Sequence, residues 1–326
     1  MSIKTGEVQD FAKDYIKQRE DEELESSTLR GITKAFDDLL KYTGKKRLLT
    51  MVVASDIREF LFKTITSPSM ALVTHRYLHA AFDRAIRDEQ LVVNPFDQID
   101  KKALRKRFKA RPRGILSSKE VITIYENLPK ENFCDRTYAN YFLLLYGTGF
   151  RRGEGCYLET KHVDMKGKNI RVESSELHKL KTDASTSDLP MTQHAMIALK
   201  DQIKSKASHR NEQIRDSTYV FCNRSGYHYF PNTFTQQVIK RVKKVCKELG
   251  IDSSGVDLHS LRHSLIQHLI DSGAEPVTVS KFARHANLST TLGAYHKMAD
   301  TKTKYEAILK LTKEMPRPKR GKEEVL

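Results

Sequence analysis

The chain has 326 residues, enough for about two domains of ordinary size, each able to bury a core without a disulfide or metal staple. It is 30% charged and 39% hydrophobic with a net charge of +16, a balance that excludes a membrane-embedded or disordered class and asks for a polyanionic partner. No apolar run approaches the ~20 residues of a membrane span, and the opening MSIKTGEVQDFAKDY lacks the apolar stretch of a signal peptide. Cys134, Cys156, Cys222 and Cys246 stand far apart with no CxxC pair, so the expectation is neither a disulfide framework nor a zinc knuckle, in a reducing, cytoplasmic compartment.

Residues 1–100 read as helices joined by short turns. TGEVQDFAKDYIKQRE, SSTLRGITKAFDDLLKYTG, SDIREFLFKTI and MALVTHRYLHAAFDRAIRDEQ each repeat apolar residues at three-and-four spacing. Ser27 or Thr28, and Ser55, are the expected N-caps, and Gly44 the expected C-terminal stop. The segment closes with LVVNPFDQI, where Pro95 forbids helix continuation.

The next run, KKALRKRFKARPR, holds Lys101, Lys102, Arg105, Lys106, Arg107, Lys109, Arg111 and Arg113 without one acid. Pro112 and Gly114 break it, so 101–114 reads as a basic interdomain linker suited to phosphate contact. LSSKEVITIYENL then opens a second domain, capped at Ser117 or Ser118. TYANYFLLLYGTG is a buried helix stopped at Gly147 or Gly149. Strands follow around NIRVES and STSDLPMT, with HKLKTDA between them in a hairpin.

Helices resume at MTQHAMIALKDQIKSK, NTFTQQVIKRVKKVCKELG, SLRHSLIQHLIDSG and VTVSKFARHA. In the second of these, Val238, Val242, Val245 and Leu249 form a stripe, leaving Lys240, Arg241, Lys243, Lys244 and Lys247 largely elsewhere; the face is either merely solvated or DNA-binding. The residues after 314 are Pro-rich and charged, a disordered tail by composition. The fold class is mainly α with a small β-sheet: a helical domain over 1–100 and a mixed α+β domain over 115–314.

Three stretches pair glycine punctuation with arginine, histidine and tyrosine. TGFRRGEGCYL places Arg151 just past a tight glycine turn, with Glu154 one helical turn on. LHSLRHS sets His259 and Arg262 at i, i+3 on one helix face. ARHANLSTTLGAYHK puts His285 ten residues before Tyr295. Taken singly, Arg151 would be a surface ion pair, His259 with His263 a metal pair lacking a third ligand, and Tyr295 a core tyrosine with Tyr305 as its decoy. Tyr146, Tyr157, Tyr227 and Tyr229 read as core or DNA-facing aromatics.

In order and spacing, the three stretches resemble the tyrosine recombinase (phage integrase) family over about residues 115–310. The resemblance implies an all-helical, SAM-like core-binding domain ahead of a tyrosine-recombinase catalytic domain. Carried over by position, Arg151 and Arg262 would fork onto the scissile phosphate and Tyr295 would be the nucleophile. His259 would act as general base or phosphate ligand, and His285 would hydrogen bond the same phosphate. The family's general acid is a hairpin lysine about nine residues before a proline; counting back from Pro190 gives Lys181, with Lys179 as its rival. Glu154 would brace an arginine or its helix. Ala283 and Arg284 depart from the family pattern, replacing the leucine and glycine that usually precede the histidine.

By the same resemblance, the partners are duplex DNA sites, clamped from opposite faces by the two domains. The chain would be a monomer or dimer when free and a homotetramer in the synapse, exchanging strands through a Holliday junction. Neither cofactor nor metal is implied; DNA-bending accessory proteins and a nucleoid location are. Two other classes remain open: a type IB topoisomerase-like relaxing enzyme, and a non-catalytic DNA-binding protein on the same scaffold.

Overall fold

The computed structural model describes residues 6–107, 114–174, 187–284 and 287–289. The chain divides into two compact units, Met1–Arg111 and Pro112–Leu326.

In the first unit, helices α1 (Val8–Asp21), α2 (Ser26–Thr43), α3 (Ala54–Glu59), α4 (Pro68–Arg87) and α5 (Lys101–Arg107) enclose one core. The three-and-four spacing is what buries Ile32, Ala35, Phe36 and Leu39 of α2 and Leu78, Ala81, Phe82 and Ala85 of α4 on single stripes. Phe11 meets Phe36 and Phe82 edge-on, with centroids 5.9 and 5.7 Å apart, and Phe82 meets Phe96 at 5.0 Å.

Gly44, at φ 83°, stops α2 as expected. The expected caps differ. Ser27 lies inside the first turn of α2, which starts after Glu25, and Ser55 lies inside α3, where Asp56 instead accepts the amide of Val53 at 3.3 Å. In α3 the Asp56 carboxylate takes the Val53 amide, whereas in α2 Glu25 stands at the N-cap without a side-chain cap bond, its Oε1 instead accepting from the Ser27 hydroxyl at 2.8 Å. A π-helical turn, Phe60–Thr64, continues from α3 and buries Phe60 and Leu61.

The Asn-Pro boundary has a structural role. Asn94 is fully buried and gives its amide to Asp83 (2.6 Å) and the His79 carbonyl (3.0 Å) while accepting from the Phe96 amide (3.0 Å). The chain after Pro95 is thereby turned back onto α4. The basic run is helical at its start: Leu104 seats α5 in the first unit's core, so residues 101–107 belong to that unit rather than to a free linker. Residues 108–113 lie outside the described residues.

The second unit is built around α7 (Phe133–Thr148), which is buried on every side. Helix α6 (Ser118–Asn127) precedes it, and Ser117 caps α6 through a reciprocal box with Glu120. After α7 come α8 (Arg152–Cys156) and a three-stranded antiparallel sheet, β1 (Val163–Asp164), β2 (Asn169–Val172) and β3 (Ser187–Pro190), in the order β1-β2-β3. Ile170 pairs with Leu189, and both face the core.

Helices α9 (Gln193–Ala207), α10 (Glu212–Arg215), α11 (Pro231–Glu248), α12 (Leu258–Asp271) and α13 (Pro276–Phe282) complete the described elements. Close helix contact explains Gly147: a Cβ there would stand 2.6 Å from the Ala195 amide of α9. Residues 175–186, where a hairpin was expected, and the tail beyond 314 lie outside the described residues. No described helix is long and apolar enough to cross a membrane.

Candidate active site

Two helix boundaries and one turn converge on a buried group of charges. Helix α7 ends at Gly149, where φ is 61° and a Cβ would meet Leu265 at 3.2 Å. The left-handed turn reverses the chain and delivers Arg151 as the N-cap of α8. Glu154, three residues on, accepts the Arg151 amide at 2.8 Å through Oε2 and the Arg151 Nη1 at 2.8 Å through Oε1. One acid therefore caps the helix and fixes the guanidinium.

Arg262 enters from α12, on a buried turn of the helix that Asp257 caps. Its Nη1 donates to the Gly149 carbonyl at 2.6 Å, and its Nη2 donates to the carbonyl of Ala283. The Arg151 Nη2 donates to the next carbonyl, that of Arg284, at 3.3 Å. Both arginines thus hold the turn after α13, one carbonyl each. Arg262 is 2% exposed. Burial, then Arg151 and Arg284, pull its pKa down to about 9, which still leaves it charged at neutral pH.

The side chain that sequence reasoning passed over is Arg284. It stands in the turn at φ 53° and donates Nη2 to Glu154 Oε2 at 2.6 Å, with both side chains 1% exposed. Burial alone would raise the Glu154 carboxyl, but Arg284, then the Arg151 amide and guanidinium, outweigh it and hold the group below its ordinary value. The signal for Arg284 was present as the arginine standing where a glycine was expected. Three guanidiniums and one carboxylate leave this cluster with a positive excess, a setting complementary to phosphate.

Of the other expected site residues, His259 is on the exposed side of α12, its ring 4.8 Å from that of His263. Lys181, its rival Lys179, His285, Tyr295 and Tyr305 lie outside the described residues. The structure therefore brings Arg151, Glu154 and Arg262 together and adds Arg284.

Among the described residues, one set of potential metal ligands lies together, His79, Asp83 and Asp97 of the first unit. There the His79 ring is 3.0 Å from Asp83 and 2.8 Å from Asp97.

The expected DNA-facing cations divide in two. Lys101, Lys102, Arg105 and Lys106 are exposed on α5, as are Lys240, Lys243 and Lys244 on α11. Arg241 is different: its Nε is 2.8 Å from Asp135, and its guanidinium lies 4.2 Å over the Tyr138 ring. It is bound into the helix packing rather than presented to a partner. The apolar stripe of α11 buries Val238, Val242 and Val245, but Leu249 lies past the helix end and is exposed. The tyrosines also divide. Tyr146 is buried with its hydroxyl 2.7 Å from His268 Nδ1, Tyr229 stacks on Phe234 at 3.9 Å, and Tyr227 is exposed.

The sequence model of the phage integrase family matches residues 115–302, more than half of the chain and the whole of the arginine cluster. The chain belongs to the phage integrase family. Among its relatives is the tyrosine recombinase XerA of Pyrococcus furiosus, 25% identical over 280 residues, which span 82% of this chain and 90% of that protein. The transposase from transposon Tn916 of Enterococcus faecalis is 24% identical over 298 residues, 86% of this chain and 72% of that protein.

In fold, the chain is similar to the Tn1549 transposon integrase in complex with transposon right end DNA. The TM-score is 0.78 at 20% identity, covering 94% of this chain and 100% of that one. A lambda integrase tetramer bound to a Holliday junction gives a TM-score of 0.70 at 14% identity, covering 86% and 78%. Membership of this phage integrase family makes the chain an enzyme of site-specific DNA recombination, a DNA strand transferase.

Proposed function

We propose that this phage integrase cleaves and rejoins duplex DNA at a specific site through a 3′-phosphotyrosyl intermediate. The observation that carries the reading is the pair Arg151 and Arg262, each held in orientation by bonds to the chain itself. Attack on a phosphodiester builds negative charge on the non-bridging oxygens. Planar guanidiniums fixed beforehand stabilise that charge without reorganising as it develops.

In the proposed step the Tyr295 oxygen bonds to phosphorus as the bond to the 5′-oxygen breaks. The phenol proton passes to a base, His259, and the leaving oxygen takes a proton from Lys181 or Lys179. His285 adds a hydrogen bond to the same phosphate. The ester keeps the bond energy, so a 5′-hydroxyl reverses the step on a new strand. Two such exchanges in a tetramer pass through a Holliday junction. No metal or cofactor enters this scheme.

The exposed cations of α5 and α11, with Lys109, Arg111 and Arg113, would follow the DNA backbone, and accessory DNA-bending proteins would order the sites. In this scheme the helical domain grips core DNA and residues 115–314 perform the chemistry, on nucleoid DNA.

A nicked suicide duplex carrying the repeats that flank the gene tests the reading, since the cleaved strand end diffuses away and traps the adduct. The expected result is a covalent protein–DNA species on a denaturing gel, formed undiminished in excess EDTA. Cleavage that leaves no bound protein, or that EDTA abolishes and Mg²⁺ restores, would overturn it.

A further inference from the structure

Arg284 sits where its backbone is least suited to a side chain. Its φ of 53° is the left-handed region in which glycine is at ease and other residues are strained. The side chain is nonetheless 1% exposed, and its Nε and Nη1 have no hydrogen-bond partner among the described residues. Both features are costly, and such costs persist where something else over-determines the position.

What the position supplies is the bond to Glu154. That carboxylate is shared: Oε1 takes the Arg151 Nη1, while Oε2 takes the Arg151 amide and the Arg284 Nη2. Without Arg284, the buried acid would have one guanidinium to balance it. A lone carboxylate and a lone guanidinium close into a mutually neutralising bidentate pair. Water screens weakly at a carboxylate 1% exposed, so Arg151, itself 29% exposed, would lose much of its field toward a phosphate.

We infer that Arg284 is a positioning residue, occupying the second oxygen of Glu154 so that the acid orients Arg151 without neutralising it. The Arg284 carbonyl accepts from Arg151 and its neighbour's from Arg262, so the same turn also sets both guanidiniums through the backbone. The third arginine thereby leaves the cluster charged toward an incoming phosphate. The inference rests on the strand-transfer reading above.

The test compares Arg284→Gly, Glu154→Gln and the double variant with the unaltered chain. Glycine suits the φ at position 284, so the first variant removes the side chain without straining the turn. On the suicide duplex, Arg284→Gly is expected to slow cleavage of bound DNA by about tenfold to a hundredfold, the scale of a misplaced catalytic group, with the Kd for duplex changing less than about threefold. Adding Glu154→Gln to Arg284→Gly is expected to restore most of the rate, because a neutral amide cannot clamp Arg151. Glu154→Gln alone is expected to fold less stably, since it leaves Arg284 buried without its anion.

A merely structural role would lower melting temperature and rate together, and the second substitution would deepen the damage; that result overturns the inference. If the unaltered chain forms no adduct, the strand-transfer reading has failed by itself. The inference is then read from the rise in melting temperature given by orthophosphate, which needs no DNA. A rise in the unaltered chain, lost in Arg284→Gly and regained in the double variant, supports it; any other ordering overturns it.

Discussion

The chain carries its excess positive charge in two physically different ways. Lys101, Lys102, Arg105 and Lys106 of α5 and Lys240, Lys243 and Lys244 of α11 are exposed, on long side chains that water and salt surround. In the cluster of Arg151, Arg262 and Arg284, each guanidinium is bound to a carbonyl, a carboxylate or both, and two of the three are buried. Exposed lysines act as a screened field that attracts any polyanion and tolerates any geometry. Buried, bonded arginines lose solvation and gain direction. Net charge therefore indicates a polyanionic partner, while the hydrogen bonds of a few arginines fix where one anionic group would be held.

The sharpest way to break this comparison is to keep charge and remove direction. Arg262→Lys preserves the cation but cannot donate to both the Gly149 and Ala283 carbonyls. Cleavage is expected to fall by about 10²–10³, roughly 3–4 kcal/mol of lost transition-state stabilisation, as for deletion of an oxyanion-hole donor. Single-turnover cleavage on the suicide duplex reads this, and a near-normal rate would show that charge alone suffices.

The converse experiment removes exposed charge where direction is not at stake. Replacing Lys101, Lys102, Arg105 and Lys106 together with alanine should weaken binding to every duplex. It should also flatten the plot of log K against log salt by about 0.9 for each phosphate no longer neutralised. Preference for the correct site over a scrambled one should barely move, because cations on the backbone position the protein without specifying a sequence. Filter binding over a salt series decides it.

Acid provides a graded version of the first experiment. Glu154 has a folded-state pKa below its ordinary 4.5. Its ionised form therefore contributes stability that is complete above the unfolded-state value and is lost as pH falls through the lowered folded value. Urea midpoints followed downward from pH 6 should drop more steeply for the unaltered chain than for Glu154→Gln. Parallel curves would place the acid outside the cluster's energetics.

The smallest expected effect separates Arg241 from its neighbours. With Asp135 and the Tyr138 ring as partners, Arg241→Ala should cost about 1 kcal/mol of stability and little DNA affinity. Lys240→Ala, Lys243→Ala and Lys244→Ala should do the reverse.

Much of this was legible in the sequence where a single local rule governs. Three-and-four spacing gave the helices, Gly44 ended α2, Gly149, one of two expected stops, ended α7, and the motifs named Arg151 and Arg262, which meet in one cluster. Other features depend on what meets a residue across the chain. Whether Arg241 faces DNA or Asp135 is set by the packing of α11 on α7, which helical spacing does not encode. The expected caps at Ser27 and Ser55 failed because the helices start earlier, after Glu25 and Val53, residue types that do not mark a helix start. Arg284 was visible as a departure from a pattern, but its meaning required the distance to Glu154, 130 residues earlier in the chain.

The central claim is that the oriented arginines serve attack by one tyrosine. Trapping on the nicked duplex with Tyr295→Phe and Tyr305→Phe, side by side, tests it most directly. Phenylalanine removes the attacking oxygen and keeps the ring, so Tyr295→Phe should bind DNA normally and form no adduct, while Tyr305→Phe forms it at the ordinary rate. An adduct that persists in Tyr295→Phe and vanishes in Tyr305→Phe would contradict the account.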